Sequence, residues 1–286
     1  MIIVTGASSS PGYKIALKLS GKYDVLGVYN DHEIDGVNSV KFDITKGPER
    51  LILDYKPDVI VHAAAIGNVD FCEENRDICY NVNVISARRL FSEAYRKGAK
   101  VIYISTDYVF DGRRGAYEET DVPSPINYYG LTKLVGEEMA LSKGGTVVRI
   151  ASVYGTGYGR ANFGKFLVDR LSRKEKVDAA YDQYLSPTLN TQIGEAVLKL
   201  IEKDYEGLIH VAGPRLSRYE FALKVCEKFG FDKSLINPVS VDSFRFKSPR
   251  PRDSSLNSDL GMEVTGIDLK NIDRSLEIFR GEYDAV

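Results

Sequence analysis

Three side chains in the middle of the chain could together pass a proton to a carbonyl oxygen. Thr106 closes an apolar segment, and Tyr129 and Lys133 follow four residues apart. Residues with this spacing share one face of a helix. A free phenol has a pKa of about 10, and a neighbouring ammonium favours the phenolate. We therefore expect Lys133, together with a cationic cofactor ring, to lower the pKa of Tyr129 toward about 7, while the Thr106 hydroxyl holds the same oxygen.

The spacing of Tyr129 and Lys133 is weak evidence by itself. The chain has 18 tyrosines, so one tyrosine followed by a lysine four residues later is expected by chance. The pair gains weight from its position, after a strand that ends in Ser105 and Thr106 and before a second apolar strand. Together with the amino terminus, this position favours a catalytic role.

The amino terminus predicts a site for a dinucleotide. An apolar strand at 2–4 leads into a turn of small residues, and an amphipathic helix follows. Backbone N–H groups in such a turn and the helix N-terminus hold a pyrophosphate. A serine takes the middle glycine position of the usual three-glycine spacing, so a simple strand-to-helix turn is the alternative. The candidate cofactor-binding residues here are Gly6, Ser8, Ser9, Ser10, Pro11 and Gly12.

The ends of the second and third predicted strands bear on the choice of cofactor. An acidic residue after the second strand usually holds the ribose 2′-hydroxyl of NAD. Here Asn30 comes first and Asp31 second. Because Asn30 carries no charge to repel a 2′-phosphate, we expect NADP(H) to be favoured over NAD(H). Asp43 ends the third strand, where it could reach an adenine amino group or only hold a turn.

The fourth predicted strand ends in small residues, Ala63, Ala64 and Ala65, which let a ligand lie close to the backbone. His62 lies inside this apolar strand and is better explained as a core residue than as a catalyst. Strands and helices alternate to this point, which predicts an α/β protein with a Rossmann-type doubly wound parallel sheet. Ligands of such sheets bind beyond the carboxyl ends of the strands. The candidate sites all lie at such ends and should converge.

The regular alternation loosens after Gly155. The remaining segments predict a smaller substrate-binding lobe near the C-terminus, over the reactive end of the cofactor. The predicted division is an NAD(P)-binding Rossmann domain over 1–160, completed by about 174–213; a substrate-binding lobe from 161–173, 182–188 and 214–258; and a C-terminal helix within 259–286.

Two arginines in a proline-bearing loop are candidates for substrate phosphates. Arg250 and Arg252 flank Pro251. A guanidinium group matches the geometry of phosphate oxygens. A solvated basic loop is the equally strong alternative.

The composition argues against several classes of protein. The 286 residues are 43% hydrophobic and 27% charged, with a formal net charge of −2. Interspersed charges of this balance argue against nucleic acid as the main partner. No apolar run is long enough to span a membrane, and no signal peptide is visible. We expect a cytoplasmic protein without a metal site, and the sequence leaves open whether it forms a homodimer.

The three cysteines, Cys72, Cys79 and Cys226, have no paired metal-ligand spacing. A long helical stretch is predicted from about 72 to 97. On such a helix the first two cysteines would lie about two turns, roughly 10 Å, apart, which is too far for a disulfide. We therefore expect all three to be reduced.

Over nearly its whole length the chain resembles the extended short-chain dehydrogenase/reductases, and more narrowly the dTDP-4-dehydrorhamnose reductases. The resemblance rests on the segment 105–112, Ser-Thr-Asp-Tyr-Val-Phe-Asp-Gly, and on Tyr129 with Lys133. Asp182-Gln183, Pro187-Thr188 and the Arg-Pro-Arg loop also match. The resemblance implies hydride transfer from a reduced nicotinamide to C4 of a dTDP-linked 4-keto-6-deoxy sugar, with the phenol as proton donor.

The resemblance also implies roles for individual residues. Ser152 stands where the family often has a tryptophan against the sugar. The implied catalytic set is Thr106, Tyr129 and Lys133, and the last two also touch the cofactor. The implied cofactor site adds Ser9, Ser10, Pro11, Asp43, Ile44 and Ala63 to Ala65. The candidates for substrate contacts are Ser105, Thr106, Ser152, Asn162 and the two loop arginines.

Two other functions compete with a nucleotide-sugar reductase. The first is a nucleotide-sugar epimerase or dehydratase that keeps its cofactor bound. Asp107 is followed by Tyr108 where such dehydratases usually carry an acidic pair, which argues against a dehydratase. The second is a non-catalytic regulatory subunit resembling that of methionine adenosyltransferase. The intact set of Thr106, Tyr129 and Lys133 argues against lost catalysis.

Overall fold

Strands and helices alternate along the amino-terminal half, as the sequence predicts. The computed structural model describes residues 1–159 and 162–285, and these contain thirteen strands and eleven α-helices. The strands are β1 (Ile2–Thr5), β2 (Val25–Tyr29), β3 (Ser39–Lys41), β4 (Val59–His62), β5 (Lys100–Thr106), β6 (Thr146–Ile150), β7 (Val153–Tyr154), β8 (Val177–Ala180), β9 (Tyr184–Leu185), β10 (Thr188–Leu189), β11 (Gly207–Val211), β12 (Leu216–Ser217) and β13 (Ile236–Val239). The α-helices are α1 (Ser10–Ser20), α2 (Glu49–Tyr55), α3 (Val69–Glu74), α4 (Arg76–Tyr80), α5 (Ser86–Arg96), α6 (Tyr128–Leu141), α7 (Phe163–Leu171), α8 (Asn190–Glu202), α9 (Arg218–Phe229), α10 (Asp259–Thr265) and α11 (Ile272–Asp284).

Seven strands form one parallel sheet in the order β3-β2-β1-β4-β5-β6-β11. The first six follow the order expected for a dinucleotide-binding doubly wound sheet, so the predicted fold class is confirmed. Strands are added toward one edge of the sheet from β1 to β3 and toward the other edge from β4 onward, so the strand order reverses between β1 and β4. Crevices for ligands form at this reversal, beyond the carboxyl ends of the strands.

Helices cover both faces of the sheet, which explains the continuous apolar runs of its strands. On one face α1 and α8 bury Ile15 and Ile193 against β1 and β6. On the other face α2 and α5 bury Leu51 and Phe91. Complete burial of each such side chain contributes roughly 1.5–3 kcal/mol. Within the two described ranges, no helix combines the length and the apolar character needed to cross a bilayer.

A separate apolar cluster holds the carboxyl-terminal elements together. It joins α7, α9 and α11 through Leu167, Phe221 and Phe279, all of which are buried. Ser217 is the N-cap of α9 and forms a capping box with Glu220. The Ser217 hydroxyl accepts from the Glu220 N–H, and the Glu220 carboxylate accepts from the Ser217 N–H. The predicted boundary between residues 160 and 161 falls outside the described residues.

The helix predicted from about 72 to 97 is interrupted at Asn75, although the rest of the stretch is helical up to Arg96. Its place is taken by α3, α4, a π-helical turn over Asn81–Ile85, and α5. Asn75, between α3 and α4, has φ −127° and ψ 58°, which is not a helical conformation. The chain therefore folds back, and the Cα atoms of Cys72 and Cys79 lie only 5.3 Å apart.

The expectation that all three cysteines are reduced is also wrong, because Cys72 and Cys79 form a disulfide. The estimate of roughly 10 Å between them assumed an unbroken helix. The third cysteine, Cys226, is free and buried in the carboxyl-terminal cluster.

The disulfide gives a direct prediction. Denatured protein should titrate one thiol without reductant and three after reduction, since Cys226 alone is unpaired. Cys72→Ser should lower stability by about 2 kcal/mol, the cost of releasing a short closed loop, and lower the melting temperature by a few degrees. Cys226→Ser is the matched control for thiol counting. Three thiols in the non-reduced protein would contradict the disulfide.

Candidate active site

One large cavity opens at the carboxyl edge of the parallel sheet. Its volume is about 1070 Å³, and the ends of β1, β2, β4, β5 and β6 contribute to its walls. The predicted convergence of the candidate sites is therefore observed. The predicted residues that line the cavity are Gly6, Ser8, Ser9, Ser10, Pro11, Asn30, Asp43, Ile44, Ala63, Ala64, Ala65, Ser105, Thr106, Tyr129, Lys133, Ser152 and Asn162.

The turn before α1 brings the backbone close to the end of β4. Gly6 has φ +67°, and a Cβ there would lie 2.6 Å from the backbone of Ala64. Gly12 does not line the cavity; a Cβ on it would overlap the Gly6 carbonyl oxygen. Ser9, at the middle glycine position, caps α1: its Oγ accepts from the Gly12 N–H at 3.1 Å. The turn therefore keeps its shape without the middle glycine and aims the N-terminus of α1 into the cavity, which fits a pyrophosphate.

The far end of the cavity contains the polar residues after β2 and β3. Asn30 donates to the Asp31 carboxylate at 2.7 Å. Asp43 lines the cavity and also holds a turn, since its Oδ1 accepts from the N–H and the hydroxyl of Thr45 at 3.0 and 2.7 Å. These hydrogen bonds lower the pKa of Asp43. The turn role of Asp43 is therefore observed, and the contact with an adenine amino group stays a prediction.

Helix α6 and strand β5 bring the predicted catalytic set together. Asn127 caps α6 by accepting from the Gly130 N–H at 2.9 Å, and this places Tyr129 and Lys133 on the face toward β5. Thr106 is the last residue of β5. The Lys133 ammonium donates to the Ile104 carbonyl of the same strand at 2.7 Å.

The protein's own groups, taken together, do not lower the pKa of Tyr129, so the part of the expected lowering that was assigned to Lys133 is wrong. Removal from bulk solvent raises the pKa of Tyr129 well above its ordinary value, although a hydrogen bond with Thr106 opposes this. Burial also lowers the pKa of Lys133 to about 7, with the Glu137 carboxylate acting in the other direction. Desolvation penalises both charged forms, the phenolate of Tyr129 and the ammonium of Lys133. The phenol therefore stays protonated, which is the form that a proton donor needs.

The Ser105 hydroxyl is already used inside the protein. It donates to Glu137 Oε1 at 2.5 Å, and the same carboxylate accepts two hydrogen bonds from Arg149 at 3.0 and 2.7 Å. Glu137 and Arg149 are 1% and 2% exposed. The bidentate pair joins α6 to β6, so Ser105 lines the cavity but its hydroxyl points into this pair.

Asn83 connects the segment after β4 to the catalytic helix. Its Oδ1 accepts from the Ile66 N–H at 2.8 Å, and its Nδ2 lies 3.0 Å from the hydroxyl of Thr132. His62 is buried and hydrogen-bonded to Thr5 at 2.7 Å, and burial lowers its pKa to about 3. The prediction that His62 is a core residue is confirmed.

The two arginines predicted to meet substrate phosphates do not line the cavity. Arg250 pairs with Asp70 at 3.0 Å and donates to the Ser248 carbonyl. Arg252 is half exposed and pairs with Asp182 and Asp242. Both guanidinium groups thus have carboxylate partners within the protein.

Sequence reasoning missed a different set of residues at this end of the cavity. Asp107 is buried, and desolvation raises its pKa to about 6 against hydrogen bonds from Ser254 and Thr106. The capping box of α9 is visible in the sequence, but it does not show which way Arg218 points. The missed lining residues are Asp107, Tyr108, Gln183, Tyr184, Leu185, Arg218 and Ser254.

Together the fold and the site define a nicotinamide-dependent oxidoreductase of the short-chain dehydrogenase/reductase type. A glycine-framed turn faces one end of the cavity, and a threonine, a tyrosine and a lysine face the other. The model of the RmlD substrate binding domain family matches residues 1–283, and the chain belongs to this family.

Named reductases are among the relatives. A dTDP-4-dehydrorhamnose reductase of Aggregatibacter actinomycetemcomitans is 30% identical, over 98% of both chains. The crystal structure of a hypothetical dTDP-4-dehydrorhamnose reductase from Sulfolobus tokodaii is 36% identical, with a TM-score of 0.87 over 95% of this chain and 98% of that one. The Bacillus anthracis dTDP-4-dehydrorhamnose reductase, solved in complex with NADP, is 30% identical, with a TM-score of 0.87 over 98% of both chains.

A methionine adenosyltransferase subunit, the kind of protein considered as the regulatory alternative, is also among the relatives. Methionine adenosyltransferase 2 subunit beta of Bos taurus is 33% identical over 76% of this chain and 67% of its own length. Its match is shorter than those of the reductases, which extend over nearly the whole of both chains. The comparisons therefore favour a reductase.

The buried ammonium predicts a stability gain from its removal. Lys133→Met should stabilise the protein by on the order of 2 kcal/mol at pH 6, because the folded wild type holds a desolvated charge there. The gain should shrink as the pH rises from about 7 toward 10.5, where the unfolded lysine also loses its proton.

Chemical denaturation of both proteins between pH 6 and 10 measures this difference. Lys143→Met, at an exposed lysine just beyond α6, is the matched control and should show no such pH dependence. A Lys133→Met protein no more stable than wild type at pH 6 would show that the contacts of the ammonium compensate its burial fully.

Proposed function

We propose that this protein reduces the C4 keto group of a nucleotide-linked 4-keto-6-deoxy sugar, converting dTDP-4-dehydrorhamnose to dTDP-rhamnose with NAD(P)H. The observation that carries the proposal is the position of Thr106, Tyr129 and Lys133 in one wall of the cavity that the amino-terminal turn also faces. The named reductases among the relatives supply the substrate class.

The residues of the chain would act on the carbonyl oxygen of the sugar. The reduced nicotinamide, when bound, supplies the hydride. The Tyr129 phenol, kept neutral by its surroundings, gives its proton to the carbonyl oxygen, and the Thr106 hydroxyl beside it helps to hold that oxygen. Lys133 lies about one helical turn after Tyr129 on α6, and its positive charge is near the phenolate that forms.

We also propose that NADP(H) is used in preference to NAD(H). Asn30, the first residue after β2, is neutral and lines the cavity. The Asn30 amide donates a hydrogen bond to Asp31, and the Asp31 carboxylate is therefore partly occupied. The Bacillus anthracis relative was solved in complex with NADP, which is consistent with a nicotinamide cofactor here.

A substrate role for the predicted smaller lobe is part of the proposal. Gln183, Tyr184 and Leu185 from segment 182–188, and Arg218 and Ser254 from segment 214–258, line the cavity. These residues lie outside the seven-stranded sheet. Selectivity for the sugar would therefore reside in this lobe.

The first test is turnover and its dependence on the phenol. Purified protein should oxidise NADPH, and NADH more slowly, when given dTDP-4-dehydrorhamnose. Tyr129→Phe should lower turnover at least about 100-fold because it removes the proton donor, while cofactor affinity persists. The consumption of reduced nicotinamide and the analysis of the product measure the turnover of the wild type and of the variant.

Tyr128→Phe is the matched control, since the neighbouring tyrosine does not line the cavity and should keep its turnover. Near-normal turnover by Tyr129→Phe would refute the role of the phenol. No turnover by wild type with either cofactor, despite tight cofactor binding, would favour another keto sugar or the regulatory function.

Arg218 is the proposed partner of the substrate diphosphate. Its Nε donates to Gln183 at 2.7 Å, and its guanidinium lies over the Phe163 ring at 5.0 Å. Among the described residues, no carboxylate forms an ion pair with it, and burial lowers its pKa. A desolvated cation of this kind is stabilised by an anionic ligand.

Arg218→Ala should therefore raise KM for the nucleotide sugar about 10- to 100-fold, with a smaller effect on kcat. Arg252→Ala is the matched control and should leave KM within about twofold, because its guanidinium already pairs with surface carboxylates. Steady-state kinetics of the two variants separate these outcomes. A large rise in KM for Arg252→Ala alone would restore the loop arginine as the phosphate ligand.

A further inference from the structure

We infer that Tyr103 is a positioning residue for Lys133: the face of its ring holds the ammonium in place and favours its charged form. The ammonium lies 4.0 Å from the centroid of the Tyr103 ring. Cations over an aromatic face are attracted by the ring quadrupole, and the attraction is strongest where water is excluded. Tyr103 and Lys133 are 1% and 2% exposed.

The geometry gives the ammonium two partners on one strand. Lys133 Nζ donates to the Ile104 carbonyl at 2.7 Å, and the ring of the preceding residue, Tyr103, lies under it. Strand carbonyls lie near the plane of the sheet, whereas side chains stand on its faces, so the carbonyl and the ring approach the ammonium from different directions. The position of the ammonium is therefore fixed by β5, the strand that also ends in Thr106.

The ring, not the hydroxyl, is the part of Tyr103 that the protein uses here. Among the described residues, none is a hydrogen-bond partner of the buried Tyr103 hydroxyl. The ring itself is held on other sides by His62, stacked at 5.9 Å, and Phe91, edge-on at 5.7 Å. Gly136 on α6 leaves room for the hydroxyl, since a Cβ there would overlap it.

Other charged and titratable groups face Lys133 from each neighbouring element. On α6 these are Tyr129 and Glu137, and the Glu137 carboxylate is shared with Arg149 of β6. On β4 His62 is buried and neutral at ordinary pH. The Glu137 carboxylate also favours the ammonium, but it is shared with Arg149, whereas the Tyr103 ring contacts the ammonium directly.

The inference rests on the proposed function for its consequence in catalysis, but its test does not need turnover. Protein labelled with ¹³C- and ¹⁵N-lysine would be titrated by NMR without ligands, and the Lys133 signal assigned by its loss in Lys133→Met. Tyr103→Leu should lower the pKa of Lys133 by about one pH unit, the equivalent of about 1.4 kcal/mol. Tyr103→Phe keeps the ring and should keep that pKa within a few tenths of a unit.

Phe91→Leu is the matched control, because that ring packs edge-on against Tyr103, which is the aromatic residue under the ammonium in the described parts of the chain. If Tyr103→Leu does not fold, phenylalanine carrying one, two and three ring fluorines at position 103 replaces it. Each fluorine weakens the negative face without changing the shape of the ring, so the pKa should fall stepwise. An unchanged pKa across this series, or a shift in Tyr103→Phe as large as in Tyr103→Leu, would overturn the inference.

The pH profile of kcat/KM gives the second readout. If the proposed function holds, the limb of the profile that reports Lys133 should move to lower pH in Tyr103→Leu and return in Tyr103→Phe. A shifted Lys133 pKa in the variant, together with no turnover by the wild type, would leave the inference standing and count against the proposed substrate. Turnover with an unshifted pKa would do the reverse.

Discussion

A buried ion pair between Glu137 and Arg149 fixes the catalytic helix to the sheet. The two side chains are almost inaccessible, and their contacts connect α6, β5 and β6 through Ser105. Arg149 also lies 3.3 Å from His210 of β11, so the connection extends to the edge of the sheet. Removing one partner of such a pair costs on the order of 3–5 kcal/mol, because the other charge is left buried. Tyr129 and Lys133 keep their positions relative to Thr106 only while this helix stays in register with the strand ends.

Desolvation sets the protonation of the groups around this pair. Tyr129 stays neutral, His62 and His210 have pKa values lowered to about 3, and Lys133 has one lowered to about 7. A site that keeps a phenol protonated and an ammonium near its titration point can give up a proton and stabilise the resulting charge. The same burial opposes stability, as is common where function needs charged groups away from water.

Several features could be predicted from the sequence because they depend on neighbours along the chain. Apolar runs separated by helical segments predicted the parallel sheet, and the small residues at three strand ends predicted where the cavity opens. The spacing of Tyr129 and Lys133 predicted a shared helix face, which α6 provides. Other features depend on a single backbone conformation. Asn75 leaves the helical region, and that one residue turns an expected separation of two helical turns into a disulfide.

The sequence by itself determined the fold class, the tight turn before α1 and the residues proposed as the catalytic set, because each follows from local patterns of residue type and spacing. Only the tertiary structure decided the electrostatics of the site and which arginines face it. The pKa of Tyr129 depends on how much water the surrounding elements exclude, and Arg250 and Arg252 meet carboxylates distant in sequence. Arg218 enters the cavity because α9 packs against the carboxyl-terminal cluster. Burial and long-range pairing are properties of the folded chain, so no local pattern reports them.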